Sequence, residues 1–229
     1  MNLKNKYLMI ILAVIIIKIN FSINVQAKEY NRFNNISIED GLSQATVETM
    51  MQDSKGYIWL GTNDGLDRYN GYTFKKYSYE KGSKNSLVNG YILDIKEDIE
   101  GNIWVATAAG ISKIYNDGEK VQNYTSDSKS GNLSNDNTAT MLISSSNKIY
   151  VGTAEGINLY DKKTDKFNLI YPELKEEYIN SLAEDKYGNI WAGTENGLYK
   201  INVGTNVIER FESTDDVNTI SENYIYKVY

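Results

Sequence analysis

One fourteen-residue pattern occurs four times in this chain and aligns without a gap. It runs Asp53 to Leu66, Asp98 to Ile111, Ser144 to Ile157 and Asp185 to Leu198. Its aromatic column holds Trp59, Trp104, Tyr150 and Trp191, in steps of 45, 46 and 41 residues. The Ile column, the Thr column and the second Gly column (Gly65, Gly110, Gly156 and Gly197) never vary. Self-similarity at this period means small supersecondary units that cannot bury their apolar faces alone and must stack on one another.

Each column has a physical reading. Asp53, Asp98 and Asp185 open Asp-x-x-Gly turns, where Asp caps the backbone and Gly takes positive φ. The third copy has Ser144 in the Asp column and Asn147 in the Gly column, and Asn is the non-Gly residue that best tolerates positive φ. A strand apolar on both faces follows, such as Ile58 to Thr62. The second Gly then reverses the chain into a further strand, Leu66 to Tyr69 or Ile157 to Tyr160. One more strand lies upstream of each pattern: Val47 to Gln52, Tyr91 to Lys96, Thr138 to Ile143 and Tyr178 to Ala183. A fourth lies downstream: Phe74 to Tyr77, Val121 to Tyr124, Phe167 to Ile170 and Val207 to Phe211.

Four antiparallel strands per unit make one blade, so the expected fold is all-β, a β-propeller with four complete blades. The blades are placed at 45–86, 87–134, 135–176 and 177–222, with the first strand of a fifth at 223–229. Tyr30 to Ser37 resembles only the outer strand of a blade, as expected of a ring whose N-terminal strand completes its last blade. The chain therefore reads as the N-terminal fragment of a longer protein. Residues 28–229 form a partial propeller in this reading. A two-sheet sandwich would alternate apolar and polar instead, and closely spaced Gly turns with β-branched strands exclude helical repeats.

The first 27 residues read as an address. Lys4 and Lys6 precede an apolar run from Tyr7 to Ile17, and Val25-Gln26-Ala27 has the form of a cleavage site. The pattern predicts a signal peptide over 1–27, the rival being an uncleaved membrane anchor. Either way the remainder is exported, to the periplasmic or extracellular side. Net charge is −6 for the whole chain and −9 without those residues, which disfavours nucleic acid and anionic lipid as partners. Contact with a membrane is expected only through the anchor or a downstream span. With no His and no Cys, the usual zinc ligands, the thiol nucleophile and the commonest proton-transfer group are absent.

The pattern from Leu42-Ser-Gln-Ala-Thr-Val to Gln52-Asp-Ser-Lys-Gly-Tyr-Ile-Trp-Leu-Gly-Thr-Asn-Asp-Gly-Leu-Asp-Arg-Tyr-Asn-Gly71 closely resembles the two-component regulator propeller repeats. The copies at Trp104 and Trp191 resemble them too, whereas the Tyr150 copy departs at Ser144 and Asn147. The resemblance implies an extracytoplasmic sensor propeller, commonly seven-bladed, upstream of a β-sandwich, a membrane span and a histidine kinase or diguanylate cyclase. It implies ligand sensing in the propeller and output elsewhere, and leaves a receptor dimer open.

Sharper chemistry at the same residues has weaker support. The aromatic column could stack sugars, but one ring per blade in a fixed column is better explained as core between blades. One Asp per blade is spread around the ring and cannot converge on a calcium ion. The Gly61 to Gly65 and Gly152 to Gly156 spacings lack the Gly-Lys-Ser/Thr ending of a phosphate loop. Glu176-Glu177 and Asp215-Asp216 read as solvated linker acids. No catalytic residue, cofactor or metal is expected, and the ligand is a small molecule or oligosaccharide of unread identity. The rival readings are a secreted propeller enzyme of lyase or quinoprotein type and an adhesion or scaffold protein. N-terminal sequencing of the exported protein should begin at Lys28; recovery from membranes with Met1 intact would establish the anchor instead.

Overall fold

Each repeat folds as one four-stranded antiparallel sheet in the computed structural model, which describes residues 35–127, 129, 131–216 and 218–229. The first sheet comprises β1 (Val47–Gln52), β2 (Ile58–Thr62), β3 (Gly65–Tyr69) and β4 (Phe74–Tyr77). The second comprises β5 (Ile92–Glu97), β6 (Ile103–Thr107), β7 (Gly110–Ile114) and β8 (Val121–Tyr124). The third holds β9 (Thr138–Ile143), β10 (Ile149–Thr153), β11 (Gly156–Asp161) and β12 (Lys166–Ile170). The fourth holds β13 (Ile179–Glu184), β14 (Ile190–Thr194), β15 (Gly197–Asn202) and β16 (Val207–Phe211). Within every sheet the strands lie in chain order.

Local chemistry explains the turns. The hydroxyl of each invariant Thr donates to the carbonyl of the invariant Gly and accepts from the backbone N–H two residues on. In the second sheet Thr107 Oγ1 donates to Gly110 O at 2.8 Å and accepts from Ala109 N at 3.2 Å. Gly110 has φ of 120°, and a Cβ there would lie 2.4 Å from the Tyr124 carbonyl oxygen. Both its dihedral and its neighbour therefore demand Gly.

The sheets pack through their first strands, β1 beside β5, β5 beside β9 and β9 beside β13. Three apolar clusters fill the three interfaces. Trp59 packs with Ile95, Ile103 and Val105 of the second sheet; Trp104 packs with Met141, Val151 and Phe167 of the third. Tyr150 packs with Leu182, Ile190 and Ala192 of the fourth.

Some expected bounds move. The innermost strands expected at Tyr91 and Tyr178 begin one residue later, and β12 begins at Lys166. Tyr224 to Tyr229 was expected as a strand but forms none. An innermost strand gains its ladder from the second strand of its own blade, and no described residue supplies one. The segment nevertheless takes an innermost position. Ile225 N donates to Thr194 O at 2.8 Å, and Val228 N donates to Ser181 Oγ at 3.1 Å. A Cβ on Gly193 would meet Ile225 Cγ2 at 2.7 Å, matching Ile92 over Gly61 and Ile179 over Gly152, both at 2.6 Å. Of the expected outer strand Tyr30 to Ser37, residues 30–34 lie outside the described residues. Ser37 instead caps a short 3-10 helix, Ile38–Asp40. The leader over 1–27 also lies outside them.

Faces at the two ends of the row differ from those inside it. Met50, Ile95, Met141 and Leu182 share one column, yet Met50 is 71% exposed where the others are 2%, 1% and 7% exposed. Trp191, on the forward face of the fourth sheet, is only half-buried. Bare apolar faces of this kind drive association. The chain is expected to self-associate in light scattering, and Met50→Lys is expected to lower its average mass; a monomer unaffected by that change would contradict the exposed-face reading.

Candidate functional site

Each innermost strand pairs regularly with its second strand except at one residue. The pairing skips Glu48, Leu93, Ala139 and Asn180, one bulge per sheet at the same column. A β-bulge leaves one residue outside the ladder and re-aims its side chain. All four of these residues line a single cavity of about 640 Å³, where the innermost strands adjoin. Tyr178, Glu195 and the segment from Tyr224 to Tyr229 complete its wall, with Asn180 Nδ2 donating to Ile225 O at 3.2 Å.

The lining is acidic. Glu48, Asp94 and Glu195 face it against one cation, Lys227. Asp94 is committed to structure: its Oδ2 accepts Met141 N of the next sheet at 2.8 Å, and its Oδ1 pairs with Lys96 Nζ at 2.7 Å. Exposed Glu48 and Glu195 remain available. Acidic and phenolic side chains around an open cavity suit a hydroxyl-rich or cationic ligand and disfavour an anion. Among the described residues no cluster of three or more His, Cys, Asp or Glu could hold a metal.

The repeat columns lie elsewhere, between sheets. Asp98 Oδ1 accepts Glu100 N at 3.0 Å and Asn102 N at 2.9 Å, as a turn-forming Asp does. Its Oδ2 also accepts the Trp104 indole N–H at 2.8 Å. Asp53 holds Trp59 at 2.8 Å and Asp185 holds Trp191 at 3.1 Å in the same way. The Asn189 side chain first, then Trp191 and the turn N–H groups, outweigh the opposing effect of burial and hold the Asp185 carboxyl well below the usual carboxylate range. In the third sheet Ser144 caps its turn through Lys148 N at 3.1 Å, and Tyr150 has no indole to offer. Trp59, Trp104 and Tyr150 are buried, and Gly65, Gly110, Gly156 and Gly197 all have positive φ.

Repeated sheets of four strands, meandering outward and packed side by side, define a β-propeller. Residues 41–64, 86–109 and 173–196 match the two component regulator propeller family, with the third repeat outside the matched segments. Three of its four repeats thus match two component regulator propeller repeats. Over 67 residues it is 37% identical to histidine kinase P4 of Formosa agariphila, covering 29% of this chain and 5% of that protein. A catalytically inactive histidine-to-alanine variant of Staphylococcus aureus virginiamycin B lyase superposes with a TM-score of 0.59 at 14% identity, over 77% of this chain and 58% of the lyase. The WD40 propeller domain of Doa1 superposes at 0.57 with 15% identity, over 81% of this chain and 57% of that one. The chain thus spans less than two thirds of each relative, and the two structural likenesses concern the fold alone.

The sequence implied ligand sensing in the propeller, through its resemblance, but named no residue for it. The signal was the column just after the first residue of each innermost strand, where Glu, Leu, Ala and Asn differ in charge and size between neighbours that repeat. The Asp-to-indole bond was missed as well. Asp98→Ala strips the Trp104 N–H and two turn N–H groups of their acceptor and should cost about 2–4 kcal/mol in urea denaturation. Ser144→Ala should cost about 1 kcal/mol or less; equal losses would contradict the indole's part in the difference.

Proposed function

We propose that this chain is the exported, ligand-sensing propeller of a bacterial transmembrane signalling receptor of two-component type. The observation that carries the reading is the ring of bulges. Four copies of one fold element each aim a chemically different side chain into one axial cavity, while the columns around them stay fixed. A structural or scaffold role gives no reason for that pattern. The match to two component regulator propellers and the likeness to a histidine kinase support an output elsewhere in the parent protein. The leader pattern supports export, and the acidic, Tyr-rich lining favours a neutral oligosaccharide or other polyhydroxylated small molecule. A ring of about seven blades is part of this reading. Ligand would act by binding two arrangements of the receptor unequally. A lyase activity has less support, since this chain contains no His.

Calorimetric titration of the chain with a panel of neutral and acidic oligosaccharides tests the site. Neutral members are expected to bind. Glu48→Ala and Asn180→Ala should each weaken them about tenfold, through loss of a charge-assisted or amide hydrogen bond. Binding that both variants leave intact, or binding of acidic members only, would refute the axial site.

A further inference from the structure

Besides Asn147 in its turn, the third sheet breaks the repeat at four columns around the aromatic position. In the first, second and fourth sheets the Trp faces forward beneath a cation at the paired position of the next strand. Arg68 lies 5.7 Å from the Trp59 ring, Lys113 lies 4.9 Å from Trp104 and Lys200 lies 5.8 Å from Trp191. An aromatic from the outer strand stacks on each indole, Tyr77, Tyr124 and Phe211 at 5.5, 5.7 and 5.7 Å. The third sheet has Ser144 for Asp, Tyr150 for Trp, Leu159 for the cation and Ile170 for the stacking ring, all in the same register.

Removing that much material leaves a void. Tyr150, Leu159 and Ile170 line an open cavity of about 400 Å³ between the third and fourth sheets, flanked by Tyr171, Val203 and Asn206. At the other two interfaces the outer Tyr bridges to the next sheet, Tyr77 to Gly118 O at 3.1 Å and Tyr124 to Asp165 at 2.8 Å. Ile170 cannot make that bond. Tyr150 as a whole is only 2% exposed, yet its hydroxyl bonds to no described residue and is not sealed off, so it opens onto the cavity it lines. Tyr171 adds a second anomaly, a non-Gly φ of 57° directly before Pro172. Strained backbone of this kind clusters at ligand sites.

We infer that this cavity is a second binding site, separate from the axial one, for a small planar aromatic molecule carrying a hydrogen-bonding group. Its ring takes the stacking place that Ile170 leaves empty, and its polar atom meets the Tyr150 hydroxyl. Burial pushes that phenol up to about 12, so it stays protonated and can either donate or accept. The volume suits one or two fused rings with a short arm. Exposed Lys148 and Glu173, neither in an ion pair among the described residues, give the mouth one charge of each sign. The site therefore favours a neutral or zwitterionic ligand over a net ion.

Titration of the full chain with indole, p-cresol and tryptophan, with cyclohexanol as a non-aromatic alcohol, tests this by ligand-observed magnetic resonance. At least one aromatic probe is expected to bind saturably with Kd below roughly 1 mM, and cyclohexanol at least tenfold more weakly. Tyr150→Phe should weaken binding about fivefold while leaving the melting temperature nearly unchanged. Leu159→Lys with Ile170→Tyr restores the residues of the sister sheets and should abolish binding; Ile170→Tyr alone serves if the pair does not fold. The site is refuted if no aromatic probe saturates by roughly 10 mM, if cyclohexanol binds as well, or if the refilled variant binds unchanged. Each of those failures leaves the axial reading standing, because none of these variants touches a residue of the axial cavity.

Discussion

A sheet that is apolar on both faces has no stable existence in water until each face is covered, and everything else in this molecule follows from that condition. The covering must come from a sheet of the same kind, because each repeat carries the same two faces. Met50 and Ile95 make the point with one column. Inside the row the side chain is buried, and at the end of the row the same position faces solvent. Stability here belongs to interfaces between units more than to the units themselves, as in other repeat proteins.

The interfaces are fixed in place by a second device. A large indole between two sheets could rotate or slide, but the carboxylate that shapes the preceding turn also holds its N–H. Turn and core are thereby made one unit: Asp98 satisfies two backbone donors with one oxygen and orients Trp104 with the other. The Ser144 and Tyr150 pair shows the coupling from the other side, since losing the indole removes the need for a carboxylate. A cation over the indole and an aromatic stacked on it complete the set, and in the third sheet all of them change together.

Much of the fold could be read from the residues because its determinants are local. Asp-x-x-Gly and the Thr and Gly of the second turn act within a few residues, so the meander and most strand bounds followed from them. The shifts at Tyr91 and Tyr178 concern only where a ladder begins. Tyr224 to Tyr229 failed as a strand because a ladder needs a partner, which no local pattern supplies. The site was less legible for a related reason. A bulge is a property of two paired strands, so Glu48, Leu93, Ala139 and Asn180 gave no sign of a shared direction until the pairing was known. The cavity beside Tyr150 was half visible: Ser144 and Asn147 marked the third repeat as different, but Leu159 and Ile170 gain meaning only through their register with Tyr150.

The bulges also bear on how such a protein can change. A residue in a ladder answers to its neighbours on two strands and to a packed face, so most replacements there disturb the sheet. A bulged residue is released from the ladder, and its side chain points away from the packed faces. Glu48, Leu93 and Ala139 answer to no ladder bond at these positions, whereas Asn180 also holds Ile225 O. The sheets behave as a fixed frame holding interchangeable side chains around an axis. What the cavity recognises can drift, one blade at a time, while the architecture that presents it stays the same.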